Sequence, residues 1–249
     1  MTKIYEALRR HEEVALTVDP PPVPAPAPSY VGDRFLAANR EMQGLYRAVE
    51  SSISPTQTGA MLLFASAHAR EGKTTVCGSF GATLAQNFDK SVLILDADRD
   101  HTLSHHWNLE QQKEVTLAAL GKAPESIQQS GKRLGTRGTI SVVPMPIGSL
   151  RASAQADRPE FGLIASIKDR LTKVFDYVLI DVPAAADASW VSSIGAITDG
   201  VIVVVEAERT RWPVVVNLKR EFETSGARVL GVFLNKRRYY IPPRIYRHL

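Results

Sequence analysis

Gly72, Lys73, Thr74 and Thr75 follow one another at the end of a short loop, and their types suit one task, holding the phosphates of a nucleotide. Several N–H donors must converge on the β and γ phosphates together with one mobile cation. A loop wrapped onto a helix N-terminus supplies the donors, and Lys73 supplies the charge. Thr74 would then place its hydroxyl on a magnesium ion. Upstream, Met61, Leu62, Leu63 and Phe64 form an apolar, β-prone run, and a helix-compatible segment follows the loop. Strand, loop and helix in that order are the context of the phosphate-loop pattern GxxxxGK[ST]. The first glycine of the pattern is replaced by Ala67, and Gly72 remains where the backbone must approach phosphate most closely.

Three aspartates provide the second half of such chemistry: Asp96 and Asp98 in LILDADR, and Asp181 in VLIDVPA. Phosphoryl transfer needs magnesium held near the phosphate oxygens and a group that takes the proton of the acceptor hydroxyl. One strand-end aspartate serves equally to cap the next turn, but acids ending two strands beside a GKT loop favour the nucleotide reading. His101 and His105 stand one helical turn apart beside His106, yet no cysteine or further histidine completes a zinc set. The single cysteine, Cys77, has no disulfide partner and reads as a buried packing residue. Trp107, Trp190 and Trp212 read as packing or interface residues.

These side chains need a scaffold, and the chain's periodicities predict one. A short helix is expected over Met1–Leu16, with Ile4, Ala7 and Leu8 on one face. Asp19–Tyr30 holds six prolines between Pro20 and Pro28, which exclude helix and sheet and predict a polyproline II spacer. A second helix is expected between Asp33 and Ile53, with Leu36, Met42, Leu45 and Val49 inward. Strands are expected at Met61–Phe64, Ser91–Asp96, Thr139–Pro144, Tyr177–Asp181, Gly200–Val205 and Arg228–Leu234. Helices are expected at Thr75–Asn87, Arg158–Val174 (through Phe161, Ile164, Ile167 and Leu171) and Trp212–Ser225, with helices and loops over His101–Gly138. Apolar strands alternating with helices imply an α/β protein, its mostly parallel sheet doubly wound with helices on both faces. In such sheets ligands bind beyond the C-terminal ends of the strands, where the acids fall.

The 249 residues suffice for one sizeable core, and 44% hydrophobic with 22% charged residues is the balance of a soluble globular protein. No apolar run approaches the ~18 residues of a spanning helix, and no signal-peptide core follows Met1, so a cytoplasmic location is expected. The organisation read from these features is an N-terminal helix (1–17), a proline-rich linker (18–32), a nucleotide-binding domain (33–234) and a basic tail (235–249).

That tail carries Tyr239, Tyr240 and Tyr246, three of the chain's seven tyrosines, among Lys236, Arg237, Arg238, Arg244 and Arg247. Pro242 and Pro243 keep it from continuing a helix. A tyrosine-bearing segment of this kind can enter another molecule's active site. Each phosphate added there brings about −1.5 to −2 charge among the basic residues. Basic residues interleaved with aromatics also suit an anionic bilayer. Nucleic acid is not expected, since the net charge is only +4 and no nucleic-acid motif is present.

The set ASAHAREGKTT, LILDADR, VLIDVPA and the tail RRYYIPPRIYRHL resembles the bacterial tyrosine kinases of capsule and exopolysaccharide biosynthesis, the polysaccharide-locus autokinases, over about residues 34 to 249. These are P-loop proteins unrelated to eukaryotic kinases. The resemblance implies a P-loop NTPase-like fold and an ATP- and Mg2+-dependent autokinase that phosphorylates Tyr239, Tyr240 and Tyr246 of neighbouring copies. By position, Lys73 would bind the β and γ phosphates within the loop Gly72–Thr75, Thr74 the metal, and Asp96 would act as base. Asp98 and Asp181 would hold magnesium, and Asn235 would contact adenine, its alternative being a polar turn residue. Implied partners are a transmembrane polysaccharide co-polymerase as activator, further copies of the chain, and a cognate tyrosine phosphatase. The chain would then sit peripherally at the inner membrane through that activator.

The chain departs from the family pattern at several places. Ala69 and Arg70 stand where the loop usually has Pro-Gly, and Arg99 follows Asp98 directly, with Asp100 after it. The ring-forming motif ExxRxxR is reduced to Gly44, Arg47 and Glu50. A degenerate ATP-binding switch of an export complex is therefore the alternative. The partition and cell-division ATPases, similar in fold, are the competing reading, and their signature lysine, replaced here by His68, argues against them.

Overall fold

Aliphatic runs without polar alternation can be satisfied only with both strand faces covered, and that requirement organises the computed structural model. It describes residues 39–54, 57–98, 103, 117–129, 131–134, 136–145, 159–185 and 190–237. In order these form α1 (Asn39–Ser52), β1 (Ala60–Ser66), α2 (Lys73–Phe88), β2 (Ser91–Asp96), α3 (Leu117–Lys122), α4 (Pro124–Gln129), β3 (Lys132–Arg133), β4 (Thr139–Pro144), α5 (Pro159–Val174), β5 (Tyr177–Asp181), α6 (Val191–Ile197), β6 (Gly200–Glu206), α7 (Trp212–Thr224) and β7 (Val229–Asn235). The expected helix at Met1–Leu16, the proline-rich spacer, Leu36, Arg99, Asp100, His101, His105, His106, Trp107 and the tail tyrosines Tyr239, Tyr240 and Tyr246 lie outside the described residues. So do the side chains of Phe161 and Ile164.

The strands make one seven-stranded sheet in the order β3-β4-β2-β5-β1-β6-β7. All neighbours run parallel except β3 with β4. Successive strand residues feed opposite faces, so the sheet carries two cores. On one face Leu62, Phe64, Ile94 and Leu179 pack with Met42, Tyr46 and Val49 of α1 and Cys77, Phe80 and Leu84 of α2. On the other, Leu63, Leu93 and Ile180 pack with Ile167 and Leu171 of α5, Ile194 of α6, and Val215, Leu218 and Phe222 of α7. The doubly wound expectation holds. Among the described residues no helix is long and apolar enough to cross a membrane.

The differences from expectation have local causes. β1 extends to Ser66 because Ala65 and Ser66 continue the parallel ladder with β6. α6 escapes a periodicity reading because its seven residues, VSSIGAI, are fewer than the roughly 11 residues over which such a pattern shows. β3 is two exposed basic residues, a pattern without a strand signal. Tyr46 is buried beside the expected stripe, its ring 4.0 Å from that of Phe88, and its hydroxyl donates to Glu50. Trp190 packs against the core, whereas Trp212 is 72% exposed and is no packing residue.

Candidate nucleotide site at the strand ends

β5 lies between β2 and β1, with Asp96 opposite Asp181 and Asp181 opposite Phe64. Neighbouring strands are about 4.8 Å apart, so two carboxylates emerge side by side at the end where β1 enters the loop 67–72. Both are wholly buried.

The loop turns into α2 through Gly72, the helix N-cap, at φ 89°. A Cβ there would stand 2.1 Å from Asn235 Nδ2, so both conformation and space demand glycine. Because this left-handed cap lets the first turn close at once, with Val76 N–H donating to the Gly72 carbonyl at 2.9 Å, α2 begins at Lys73 and not at the expected Thr75. Lys73 and Thr74 therefore sit in the first turn.

Arg70 is also left-handed, at φ 67°, a conformation that suits the glycine the family pattern has at this position. Such a conformation costs an L-residue about 1–2 kcal/mol, partly offset by the greater unfolded-state freedom of glycine. Arg70→Gly should therefore stabilise the protein by about 0.5–1 kcal/mol, read as a melting temperature a few degrees higher.

Lys73 is buried, and its ammonium donates to Asp181 Oδ1 at 2.6 Å, with Thr74 Oγ1 at 3.5 Å. Burial opposes its charge, but the charge and hydrogen bond of Asp181, helped by the charge of Asp98, outweigh it and raise the lysine pKa. Asp181 is itself pushed up, by complete burial first, with the Asp96 charge adding to it against the pull of Lys73. Asp98 is half-buried after β2. The structure thus brings Lys73, Thr74, Asp96, Asp98 and Asp181 to one place. Thr75 follows on the exposed side of the same turn.

One lysine among three aspartates leaves an excess of negative charge. Among the described residues Asp181 Oδ2 accepts no hydrogen bond. Magnesium takes one or two protein oxygens together with waters and phosphate oxygens. The Thr74 hydroxyl, Asp181 and Asp98 are a donor set of that kind, so the residues present fit the ion. Cys77 nearby is buried, and burial, then the Asp181 charge, lift its thiol well above the usual range, as suits an inert packing group.

A brace around the loop escaped the sequence reading. Glu71 is buried; it accepts the His68 N–H at 2.9 Å and the Thr210 hydroxyl. Asn235 Nδ2 donates to the Glu71 carbonyl at 2.9 Å, and Lys236 Nζ donates to the Arg70 carbonyl at 2.6 Å and to Glu206 at 3.1 Å. Glu71 matches the glutamate of the family loop PGEGK[ST], but the pattern GxxxxGK[ST] leaves its position open and neither names its partners, so the brace had no local signal. On α1, Gly44 and Arg47 are exposed, while Glu50 accepts the Tyr46 hydroxyl.

With this geometry in place, comparison with known proteins is informative. The sequence profile of the family described as cellulose biosynthesis protein BcsQ matches residues 61–223, from β1 through nearly all of α7. The chain belongs to the BcsQ family. This BcsQ-family chain is also similar to proteins named as tyrosine kinases, as its motifs imply. It is 28% identical to the tyrosine-protein kinase CpsD of Streptococcus agalactiae over 209 residues, 82% of this chain and 87% of that protein. It is 27% identical over 177 residues to the succinoglycan biosynthesis transport protein ExoP of Rhizobium meliloti, covering 71% of this chain but spanning only 22% of that protein. Among solved structures it resembles the kinase domain of the Escherichia coli tyrosine kinase ETK, with a TM-score of 0.58 and 19% identity over 84% of this chain and 83% of that one. The shared architecture is the P-loop NTPase-like parallel sheet.

Proposed function

We propose that this BcsQ-family protein is an ATP- and Mg2+-dependent protein-tyrosine autokinase of capsule or exopolysaccharide biosynthesis. It phosphorylates Tyr239, Tyr240 and Tyr246 on neighbouring copies, next to a transmembrane polysaccharide co-polymerase that activates it and holds it at the inner membrane. A cognate phosphatase would reset the tail. The observation that carries the reading is the Lys73–Asp181 contact, which joins the phosphate loop to the adjacent strand ends of β2 and β5, where Asp96 and Asp181 lie.

Gly72, Lys73, Thr74 and Thr75 bind the phosphates, Lys73 turning from Asp181 towards the β and γ oxygens. Magnesium, held by Thr74, Asp181 and Asp98, would supply neutralisation of phosphate charge. Asp96 takes the proton of the incoming tyrosine hydroxyl as its oxygen bonds to the γ-phosphorus and the bond to the ADP oxygen breaks.

Intact mass of the purified chain, with and without MgATP and a membrane co-polymerase, tests the proposal. Whole phosphates should appear in the wild type and be absent when Tyr239, Tyr240 and Tyr246 are all phenylalanine. ATP binding with tyrosines unmodified under all conditions would establish the second reading, an ATP-binding switch without phosphotransfer. That reading draws on the complete burial of Asp96, which an acceptor hydroxyl reaches only once neighbouring groups part, and on the left-handed Arg70.

A further inference from the structure

The family likeness places Asn235 against adenine, yet its amide is engaged elsewhere. Nδ2 donates to the carbonyl of Glu71, and the next residue, Lys236, donates to the carbonyl of Arg70. Two successive peptide units of the phosphate loop are thus gripped by their oxygens, from the residues that end β7. In a trans peptide the N–H of the following residue points opposite to the carbonyl. Holding the oxygens of Arg70 and Glu71 therefore turns the N–H groups of Glu71 and Gly72 the other way. The left-handed backbone at Arg70 and at Gly72, on either side of Glu71, is the alternation that makes successive N–H groups converge into an anion-binding concavity.

The brace is itself anchored. Glu206, at the end of β6, holds Lys236 at 3.1 Å, and the Glu206 N–H donates to Thr210 Oγ1 at 3.2 Å, whose hydroxyl in turn engages the buried Glu71. The end of β6, the end of β7 and the loop are one connected hydrogen-bonded unit. In this loop Ala67 and Arg70 replace glycines of the family pattern, so the backbone is held by side chains as well as by glycine.

We propose that Asn235 and Lys236 are positioning residues for the nucleotide's phosphates, fixing the direction of the Glu71 and Gly72 N–H donors, and that Asn235 is not a reader of the adenine ring. This deepens the nucleotide reading above and rests on it. The brace recognises a polyphosphate whatever base it carries.

Calorimetric titration of the full chain with MgATP, MgGTP and magnesium tripolyphosphate tests it, in the wild type, Asn235→Ala and Lys236→Met. A hydrogen bond of this kind contributes about 0.5–1.5 kcal/mol net, so Asn235→Ala should weaken every ligand the wild type binds by one common factor of roughly three to ten. Lys236→Met should do the same, and its loss should persist at about 0.5 M salt, where a bare charge effect is largely screened. A loss confined to ATP, with GTP and tripolyphosphate unchanged, assigns Asn235 to the base and overturns the proposal. Variants that bind like the wild type overturn it too, while leaving the nucleotide reading intact. A wild type that binds none of the three removes the nucleotide reading itself, and this inference with it. Should Asn235→Ala fail to fold, Lys236→Met, altered at a half-exposed side chain, decides alone.

Discussion

Lys73→Met should destabilise the protein by about 3–5 kcal/mol, the usual cost of removing one partner from a buried ion pair. Lys73 and Asp181 have side-chain exposures of 7% and 0%, so solvent screens their contact little. Without the ammonium, Asp181 remains buried next to Asp96, with a neutral residue where its own cation stood. A loss of that size is a large part of an ordinary domain's stability of about 5–15 kcal/mol. Urea unfolding at neutral pH measures it, and a change under ~0.5 kcal/mol would mean that the pair contributes nothing.

The double variant Lys73→Met with Asp181→Leu should recover at least half of the loss, since replacing a buried pair by apolar groups is often neutral. The pH dependence has a definite sign. Asp181 is already pushed up by burial, and losing Lys73 pushes it further. The single variant's deficit is therefore full above the raised pKa of Asp181. It shrinks as pH falls and the carboxyl takes up a proton, towards the unfolded value of about 4. In the wild type the raised Lys73 pKa works at the alkaline end. Its stabilisation is complete below the unfolded lysine value of about 10.4 and is lost as pH rises through the folded one.

The sheet was legible because each parallel strand announces itself. SVLILD and YVLID are continuous apolar runs that end in acid, and no soluble arrangement other than a two-sided cover satisfies them. Once those strands are neighbours in register, Asp96 and Asp181 must emerge together, so the acidic half of the site follows from strand ends alone. Lys73 was legible from its place after Gly72. The brace was not, because Glu71, Glu206, Thr210, Asn235 and Lys236 are separated by up to 165 positions and carry no shared spacing. Which of them meet depends on β6 and β7 ending beside the loop after β1, a fact of strand order. Asn235 shows the limit well: its location at the site was readable, but the atom it touches was not.

Asp96→Asn should abolish tyrosine phosphorylation, by about 10²–10⁴-fold, while leaving ATP affinity within about twofold of the wild type. The amide keeps the shape of the carboxylate but cannot take the acceptor's proton. Stability separates this outcome from general damage. Asp96 is wholly buried, and its charge is one of the forces that push Asp181 up. Removing that charge favours ionised Asp181 and so strengthens its pairing with Lys73. The variant should be as stable as the wild type or more so, the opposite of Lys73→Met, although both residues neighbour Asp181. Phosphotyrosine formation, calorimetric ATP binding and urea unfolding on one preparation distinguish the possible roles. Phosphorylation that survives removes Asp96 as the base. ATP affinity falling in step with phosphorylation moves it to the metal's side of the site. Only lost transfer with intact binding and undiminished stability assigns it the proton.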